Sequence, residues 1–295
     1  MLTENFVCYI IAYYDIKFKV VISLNKNIVL SCPVCKNELK KSGNSYKCEN
    51  KHCFDIAKEG YVNLLSGSHK QGNLIGDSKE MALSRRAFLE KEYFSTLAEA
   101  VSQLLKEQPF SKRPTVLDVC CGEGYYSQYI KAENDCELFG FDLSKSMVRL
   151  AAKRKLDALF FVANLSHIPV FDGSIDFAFH LFAPFHKEEF SRILNNDGVL
   201  VTAVPGEHHL WQLKETVYDV PYRNEVKLPS SAELKLCDTV SVKNTISLAS
   251  SSDIMSLFKM TPCYHHTPKS GIEMLEKIDS LETEIDFVLG IYKKI

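Results

Sequence analysis

The sequence predicts a doubly wound, mostly parallel α/β sheet with a small cysteine-rich lobe on its N-terminal side. Three observations carry this expectation. Short apolar runs alternate with helical stretches from Thr115 onward, paired cysteine knuckles occupy the segment Val29 to Leu65, and a stretch rich in Gly, Ser, Asn and Lys separates the two. With 295 residues and 46% apolar content, the chain can bury one full α/β core and still supply a second, smaller lobe. The boundaries expected are 1-28 for an extension, 29-65 for the cysteine-rich lobe, 66-110 for a linker and helices, and 111-295 for the α/β domain.

The extension is apolar from Phe6 to Leu24, but Asp15, Lys17 and Lys19 interrupt it. Each of these charges is costly inside a bilayer, and the start lacks the basic region of a signal peptide. The chain is therefore expected to be soluble and cytoplasmic, with no membrane partner. A formal net charge of -2 supplies no global field toward nucleic acid, so any such contact must come from a local patch. Ten cysteines in a chain of this length, clustered rather than spread, fit a reducing compartment and a metal site better than a disulfide scaffold.

In the lobe, Cys32-Pro33-Val34-Cys35 is followed after a twelve-residue gap by Cys48, with His52 and Cys53 close behind. Two knuckles that each offer two ligands can close a tetrahedron around one Zn²⁺, and Pro33 and the Gly43-Asn44 pair supply the chain reversals. Cys32, Cys35 and Cys48 are three of the ligands. Either His52 or Cys53 can complete the shell. Since protein atoms would fill every position, the zinc would be structural, and without it so short a lobe could not hold itself together. Lys36, Lys40, Lys41, Lys47, Lys51 and Lys58 stud the lobe among Tyr46, Phe54 and Tyr61. Such a mixture serves equally as a phosphate- and base-binding surface or as a solvated rim over core aromatics.

Ser66 to Lys79 has no apolar period and reads as a loop. Helical spacing resumes with Met81, Phe88 and Leu89, then Leu97, Val101, Leu104 and Leu105. Five strands are expected after it: Thr115 to Val119, Cys136 to Phe141, Leu159 to Val162, Ile175 to Leu181 and Val199 to Val204. The first ends in Asp118-Val119-Cys120-Cys121-Gly122-Glu123-Gly124 and the second in Asp142. Small residues after the first strand let the backbone approach a nucleoside, and the helix N-terminus beyond them suits a carboxylate such as that of S-adenosylmethionine (SAM). An acid ending the second strand can accept hydrogen bonds from ribose hydroxyls, which selects Asp142.

The DxxCGxG stretch from Asp118 to Gly124 resembles motif I of class I methyltransferases, whereas a dinucleotide fingerprint opens on a glycine before any acid. Cys120 stands where that motif usually has its first glycine, so a slightly wider loop is expected. Asn164, after the third strand, matches the place of adenine contacts in that family and serves equally as a plain loop asparagine. Together with the zinc lobe, Phe54 to Leu65, Gly76-Asp77-Ser78, Arg85 to Leu89, Ala183-Pro184, Pro205-Gly206, His209-Leu210, Met260-Thr261-Pro262 and Asp286-Phe287 closely resemble the 23S rRNA (guanine-N1)-methyltransferase family, from about Ser31 to the C-terminus.

That resemblance implies methylation of N1 of a guanosine in 23S ribosomal RNA, with SAM and one structural Zn²⁺ as cofactors. It points to His52 as the fourth zinc ligand. It also implies SAM contacts from Phe94, where the family more often has Tyr, and from Gly122, Glu123 and His209, beside Asp118, Gly124, Asp142 and Asn164. Methyl transfer needs positioning rather than a covalent intermediate, so Cys120 and Cys121 read as loop packing. No acceptor of the N1 proton is assigned; Asp176, His180 and His167 are the candidates, and Phe182 or Phe185 could wall a pocket for an unstacked base. The alternatives are a small-metabolite methyltransferase, which would not need the zinc lobe, and a non-catalytic zinc and RNA-binding protein, which would not need an intact SAM loop. A homodimer is open beside a monomer.

Overall fold

The computed structural model describes residues 30–65, 79–265 and 267–295. The 1–28 extension, the loop at 66–78 and the Gly76-Asp77-Ser78 match lie outside the described residues. The lobe is built on three short antiparallel strands, β1 (Lys40–Ser42), β2 (Ser45–Lys47) and β3 (Cys53–Asp55). Gly43 and Asn44 form the two-residue turn between the first two, with Gly43 at φ +60°, a conformation that costs glycine nothing. A fourth strand, β4 (Val62–Asn63), leaves the lobe and pairs in parallel with the far edge of the main sheet.

Helices α1 (Lys79–Leu89) and α2 (Ser95–Lys106) follow. The α/β domain then runs β5 (Thr115–Val119), α3 (Tyr125–Glu133), β6 (Glu137–Asp142), α4 (Lys145–Lys153), β7 (Ala158–Val162), β8 (Ile175–Leu181), α5 (Lys187–Ile193), β9 (Leu194–Pro205) and α6 (Trp211–Val217). It closes with β10 (Leu234–Leu248), α7 (Ser251–Lys259), α8 (Lys269–Leu275) and β11 (Leu281–Lys294). Among the described residues the main sheet has the order β10-β11-β9-β8-β5-β6-β7-β4. The pairs from β9 to β4 are parallel, and β11 and β10 add antiparallel to β9. The mostly parallel, doubly wound sheet is therefore as expected, and the five expected strands correspond to β5 through β9.

The two long closing strands have no counterpart among the five expected from the sequence. β10 is an edge strand whose residues are largely exposed and polar, so it lacks the apolar run that marks a central strand. In β11, Phe287, Leu289 and Ile291 do alternate into the core, a period-two signal that was available.

Connections leave β5 and β8 in opposite directions, which makes their carboxyl ends the switch point where ligands bind in open α/β sheets. One face of the sheet is covered by α2, α3, α7 and α8; the other carries α5 and the lobe. Leu30, Cys32, Leu39, Tyr46 and Cys48 lie in the same buried cluster as Val119, Phe139, Phe141 and Phe161. Thus the lobe is not a bead on a linker: it supplies part of the cover over β5, β6 and β7. No described helix is long and apolar enough to cross a membrane.

Candidate metal centre and cofactor site

The two knuckles present their ligands because the backbone folds back at each. Lys36 N–H donates to the Cys32 carbonyl (2.8 Å) and Lys51 N–H to the Cys48 carbonyl (3.0 Å), with Lys36 and Lys51 both left-handed at φ +64° and +63°. Cys32 Sγ and Cys48 Sγ lie 3.5 and 3.3 Å from His52 Nδ1, and Cys35 Sγ lies 3.6 Å from Cys48 Sγ. All four ligand atoms fall within 4.8 Å of one another. A tetrahedral Zn²⁺ with ordinary Zn–S and Zn–N bonds separates its ligands by about 3.5–3.8 Å, so the donor set fits the ion. The Asn37 backbone amide beside Cys35 pulls that thiol down to about 6, toward the thiolate a metal takes. Cys53 starts β3 with its side chain exposed and is outside the group, which leaves His52 as the fourth member.

The aromatics that accompany the lobe's lysines divide. Tyr46 and Tyr61 are buried at 8% and 5% exposure and serve the core, while all six lysines are exposed. The aromatic stacking surface considered above therefore does not exist at these two tyrosines; burial against the sheet has claimed them.

The carboxyl ends of β5 and β6 are tied together by Asp142. Its Oδ2 accepts from Gly122 N–H (3.1 Å) and its Oδ1 from Ser144 N–H (2.8 Å). Gly122 is left-handed at φ +54°, and a Cβ added there would meet nothing within 4 Å, so the loop backbone borders open space. That is the room a nucleoside requires. Gly124, at φ +81°, begins α3, and its missing Cβ lets Ala151 of α4 approach to 3.0 Å of where one would be. Cys120, at the position of the motif's usual first glycine, takes φ +58°, so the strain is borne by a small side chain in the conformation a glycine would adopt freely.

Asp118 does not face this space. It is 3% exposed and accepts from Ser127 Oγ (2.5 Å), anchoring α3 from beneath the loop. Burial, with the field of Asp142 added, raises its carboxyl to about 7 despite the Ser127 bond. Glu123 is 1% exposed and held by Arg154 through Nε (3.1 Å) and Nη2 (2.5 Å), but its Oε1 is buried with no hydrogen-bond partner, an acceptor that a bound ammonium would satisfy. Asn164 spends its side-chain oxygen on Ser166 N–H (3.0 Å), closing the turn after β7.

Phe94 and His209 meet on a second wall. Phe94, just before α2, packs edge-on to Phe287 (5.5 Å) and lies 6.5 Å from the His209 ring, which itself sits 4.3 Å from Phe287. His209 Nδ1 accepts from Asp286 N–H (3.3 Å), and desolvation holds this half-buried ring below its ordinary pKa. Glu92 joins this wall to the glycine loop by accepting from Tyr125 Oη (3.2 Å) and from the Tyr129 hydroxyl.

Of the three proton-acceptor candidates, Asp176 lies at the wrong end of the sheet. It starts β8, where its carboxylate takes Thr115 N–H (2.7 Å) and Asn195 Nδ2 (2.5 Å). His180 is 3% exposed, its Nε2 has no partner, and burial pushes it down to about 4. His167 is exposed in the turn closed by Asn164. The two phenylalanines after β8 separate clearly. Phe185 packs on Phe190 (5.1 Å) and Tyr292 (5.9 Å) in the core, whereas Phe182 is 46% exposed, left-handed at φ +63°, and rests on Phe287 (5.2 Å). Phe182 thus extends the Phe94–His209 wall to the switch point.

A glycine loop clasped by a strand-end acid, beside a closed four-ligand cluster, defines a SAM-dependent methyltransferase with a structural zinc ribbon. The zinc-ribbon family described as RlmA, N-terminal matches residues 30–73, and the family described as methyltransferase domain matches residues 116–198. The 23S rRNA (guanine(748)-N(1))-methyltransferase of Streptomyces fradiae is 33% identical over 199 residues, covering 66% of this chain and 70% of that one. YxjB of Bacillus subtilis (strain 168), provisionally named a 23S rRNA (guanine-N(1)-)-methyltransferase, is 27% identical over 274 residues, or 88% of this chain and 96% of its own. A Micromonospora griseorubida protein with the same provisional name is 29% identical over 203 residues, covering 62% and 68%. The chain belongs to the 23S rRNA (guanine-N1)-methyltransferase family.

Proposed function

We propose that the chain transfers the methyl group of SAM to N1 of a guanosine in 23S rRNA, in the cytoplasm. The observation that carries this reading is that the zinc cluster and the Asp142–Gly122 clasp share one folded core. A methyltransferase of small metabolites needs only the second, and the similarity to YxjB, which covers 88% of this chain, spans both parts. The division at 29-65, 66-110 and 111-295 then separates metal, connecting and catalytic segments in sequence, although the first and last pack together.

In this reading Asp142 accepts the ribose hydroxyls, Gly122 and Gly124 admit the nucleoside, and Asn164 borders the adenine. Glu123 Oε1, Phe94 and His209 receive the methionine end, and Asp118 holds the loop from below through Ser127. Bound SAM supplies an electrophilic methyl on its sulfonium. The remaining work is positioning: the guanine leaves its stack and lies against the exposed ring of Phe182, with N1 in line with the methyl. Neutral guanine carries a proton on N1, which is given up to an acceptor as the N–CH3 bond forms and the S–CH3 bond breaks; Asp176, bound to Thr115 and Asn195 at the opposite end of β8, is remote from that step.

The test is incubation of the zinc-loaded protein with labelled SAM and either protein-free 23S rRNA or a metabolite extract, followed by nucleoside chromatography. Label in 1-methylguanosine is expected. Label confined to a metabolite would establish the small-molecule alternative, and SAM binding without any transfer would establish a non-catalytic binding protein.

A further inference from the structure

Between the lobe and the catalytic domain runs a groove of about 650 Å³ that the SAM site does not use. Its basic rim comes from two places far apart in sequence. Lys145, Arg149 and Lys153 recur every four residues along α4 and so share one helical face, all of them exposed. Lys58 faces them from the turn Ala57–Gly60, which is closed by Gly60 N–H donating to the Ala57 carbonyl (2.8 Å). Glu59 of the same turn pairs with Arg149 (2.8 Å) and pins the lobe against α4. Among the described residues, Lys58, Lys145 and Lys153 have no carboxylate within ion-pair distance. The floor is apolar, formed by Leu83 of α1, 48% exposed, together with Leu150 and Tyr61.

We propose that this groove holds a strand of the substrate RNA, with backbone phosphates on Lys58, Lys145 and Lys153 and a base or ribose face on the apolar floor. The inference rests on the reading of rRNA as substrate. Three cations with no carboxylate partner among the described residues, around one concavity in a chain whose formal charge is -2, are the local patch that such a protein must possess. The volume lies within the usual range for a cleft that receives a nucleotide-sized group. The other lysine set, on the lobe hairpin, is less suited. Lys40 is paired with Glu38 (3.0 Å) and lies directly across from Lys47 on a two-stranded hairpin.

The groove also explains why the lobe turn is ion-paired to α4: the pair fixes the spacing between the two basic rims. A strand seated there would be held jointly by the lobe and the catalytic domain, which orients the target relative to the SAM site without touching it.

The experiment compares the full zinc-loaded chain with K58A/K145A/K153A and, as a second triple variant, K40A/K41A/K47A. RNA binding is measured by fluorescence anisotropy with a protein-free 23S rRNA hairpin fragment across a salt series, alongside SAM affinity and melting temperature. Removing three phosphate contacts should flatten the salt slope by about two units and weaken binding by about a hundredfold at ~0.1 M salt. SAM affinity and melting temperature should be unchanged, and the hairpin triple should bind nearly as the parent does. Wild-type slope and affinity in the groove triple, with methylation of 23S rRNA by the parent intact, overturn the groove alone. A parent that neither binds nor methylates 23S rRNA overturns the functional reading beneath it. A defect that appears only on protein-containing ribosomal subunits, and not on bare RNA, assigns the groove to an acidic protein surface and overturns the proposal.

Discussion

Removing the zinc should destabilise the methyltransferase domain itself, not only the lobe. Leu30, Leu39, Tyr46, Val62 and Leu64 are each 8% exposed or less and pack in one cluster with Phe139, Phe141 and Phe161 of the main sheet. Fully burying a large apolar side chain is worth about 1.5–3 kcal/mol, so withdrawing five of them costs about 8–15 kcal/mol. A domain's whole stability is of order 5–15 kcal/mol. The metal is the fastening, since structural zinc contributes about 10–16 kcal/mol of apparent binding energy to folding. Calorimetry on the full chain under reducing conditions, with a strong chelator and with stoichiometric zinc restored, is the assay. The expected result is a single cooperative transition that falls by at least about 10 °C or is lost on chelation, and returns with zinc; for a chain of this size each kcal/mol moves the midpoint by about 2–4 °C. His52→Ala should behave like the chelated protein, and Cys53→Ser should keep about one zinc per chain and its full melting temperature. Two separable transitions, with the larger unmoved by chelation and SAM binding intact, would refute the shared-core argument.

Four further outcomes follow from named contacts. Asp142→Ala should weaken SAM binding by about 1.5–3 kcal/mol by calorimetry, the range for hydrogen bonds to a charged group, and unchanged affinity would remove Asp142 from the site. Phe182→Leu should lower kcat/KM for RNA by about ten- to a hundredfold, corresponding to ~1–3 kcal/mol of base stacking, while Phe182→Trp retains activity and SAM affinity stays constant; equal losses in both variants would mean a packing role only. Cys120→Gly should raise stability in denaturant titrations by about 1 kcal/mol or less, because glycine relieves the left-handed strain and loses part of the gain to chain entropy; a clear destabilisation would contradict the strain. His180, held down to about 4 by burial, should stay neutral at pH 5 in NMR spectra of the labelled imidazole. Its folded pKa lies below the unfolded value near 6.5, so its contribution is complete above about pH 6.5 and is lost as pH falls toward 4, by about 3 kcal/mol at the bottom of the window. Asp118, raised to about 7, has the opposite slope: its contribution is complete below about pH 3.8 and is lost as pH rises toward 7. Comparing His180→Gln with the parent over pH 4–7 separates the two.

Several of the chain's determinants are local and could be read without coordinates. The knuckles at Cys32–Cys35 and Cys48–His52 are set by residue spacing, the Gly43-Asn44 turn by backbone freedom, and β5 through β9 by apolar runs, because each depends on neighbours within a few positions. The glycine loop and Asp142 are legible for the same reason: they stand at strand ends that the pattern itself marks. What escaped were features created by partners remote in sequence. β10 is polar and becomes a strand only through its pairing with β11. Asp118 is tied to Ser127 beneath the loop, and Arg154 occupies one oxygen of Glu123 while leaving the other without a partner, distinctions that sequence does not carry. Phe182 and Phe185 are indistinguishable on paper, and only packing against Phe190 and Tyr292 sends one inward while the other takes a left-handed backbone at the switch point. The choice between His52 and Cys53, likewise, turned on which side chain the β2–β3 pairing leaves beside Cys48. Sequence by itself determined the chemistry on offer, a zinc-binding set and a nucleoside-binding loop, because ligand type and local backbone bias are properties of short segments. Tertiary structure alone decided that these share one core and that Lys58 of the lobe meets Lys145, Arg149 and Lys153 of α4 around one groove, because burial and electrostatic convergence depend on distances between segments that no local pattern encodes.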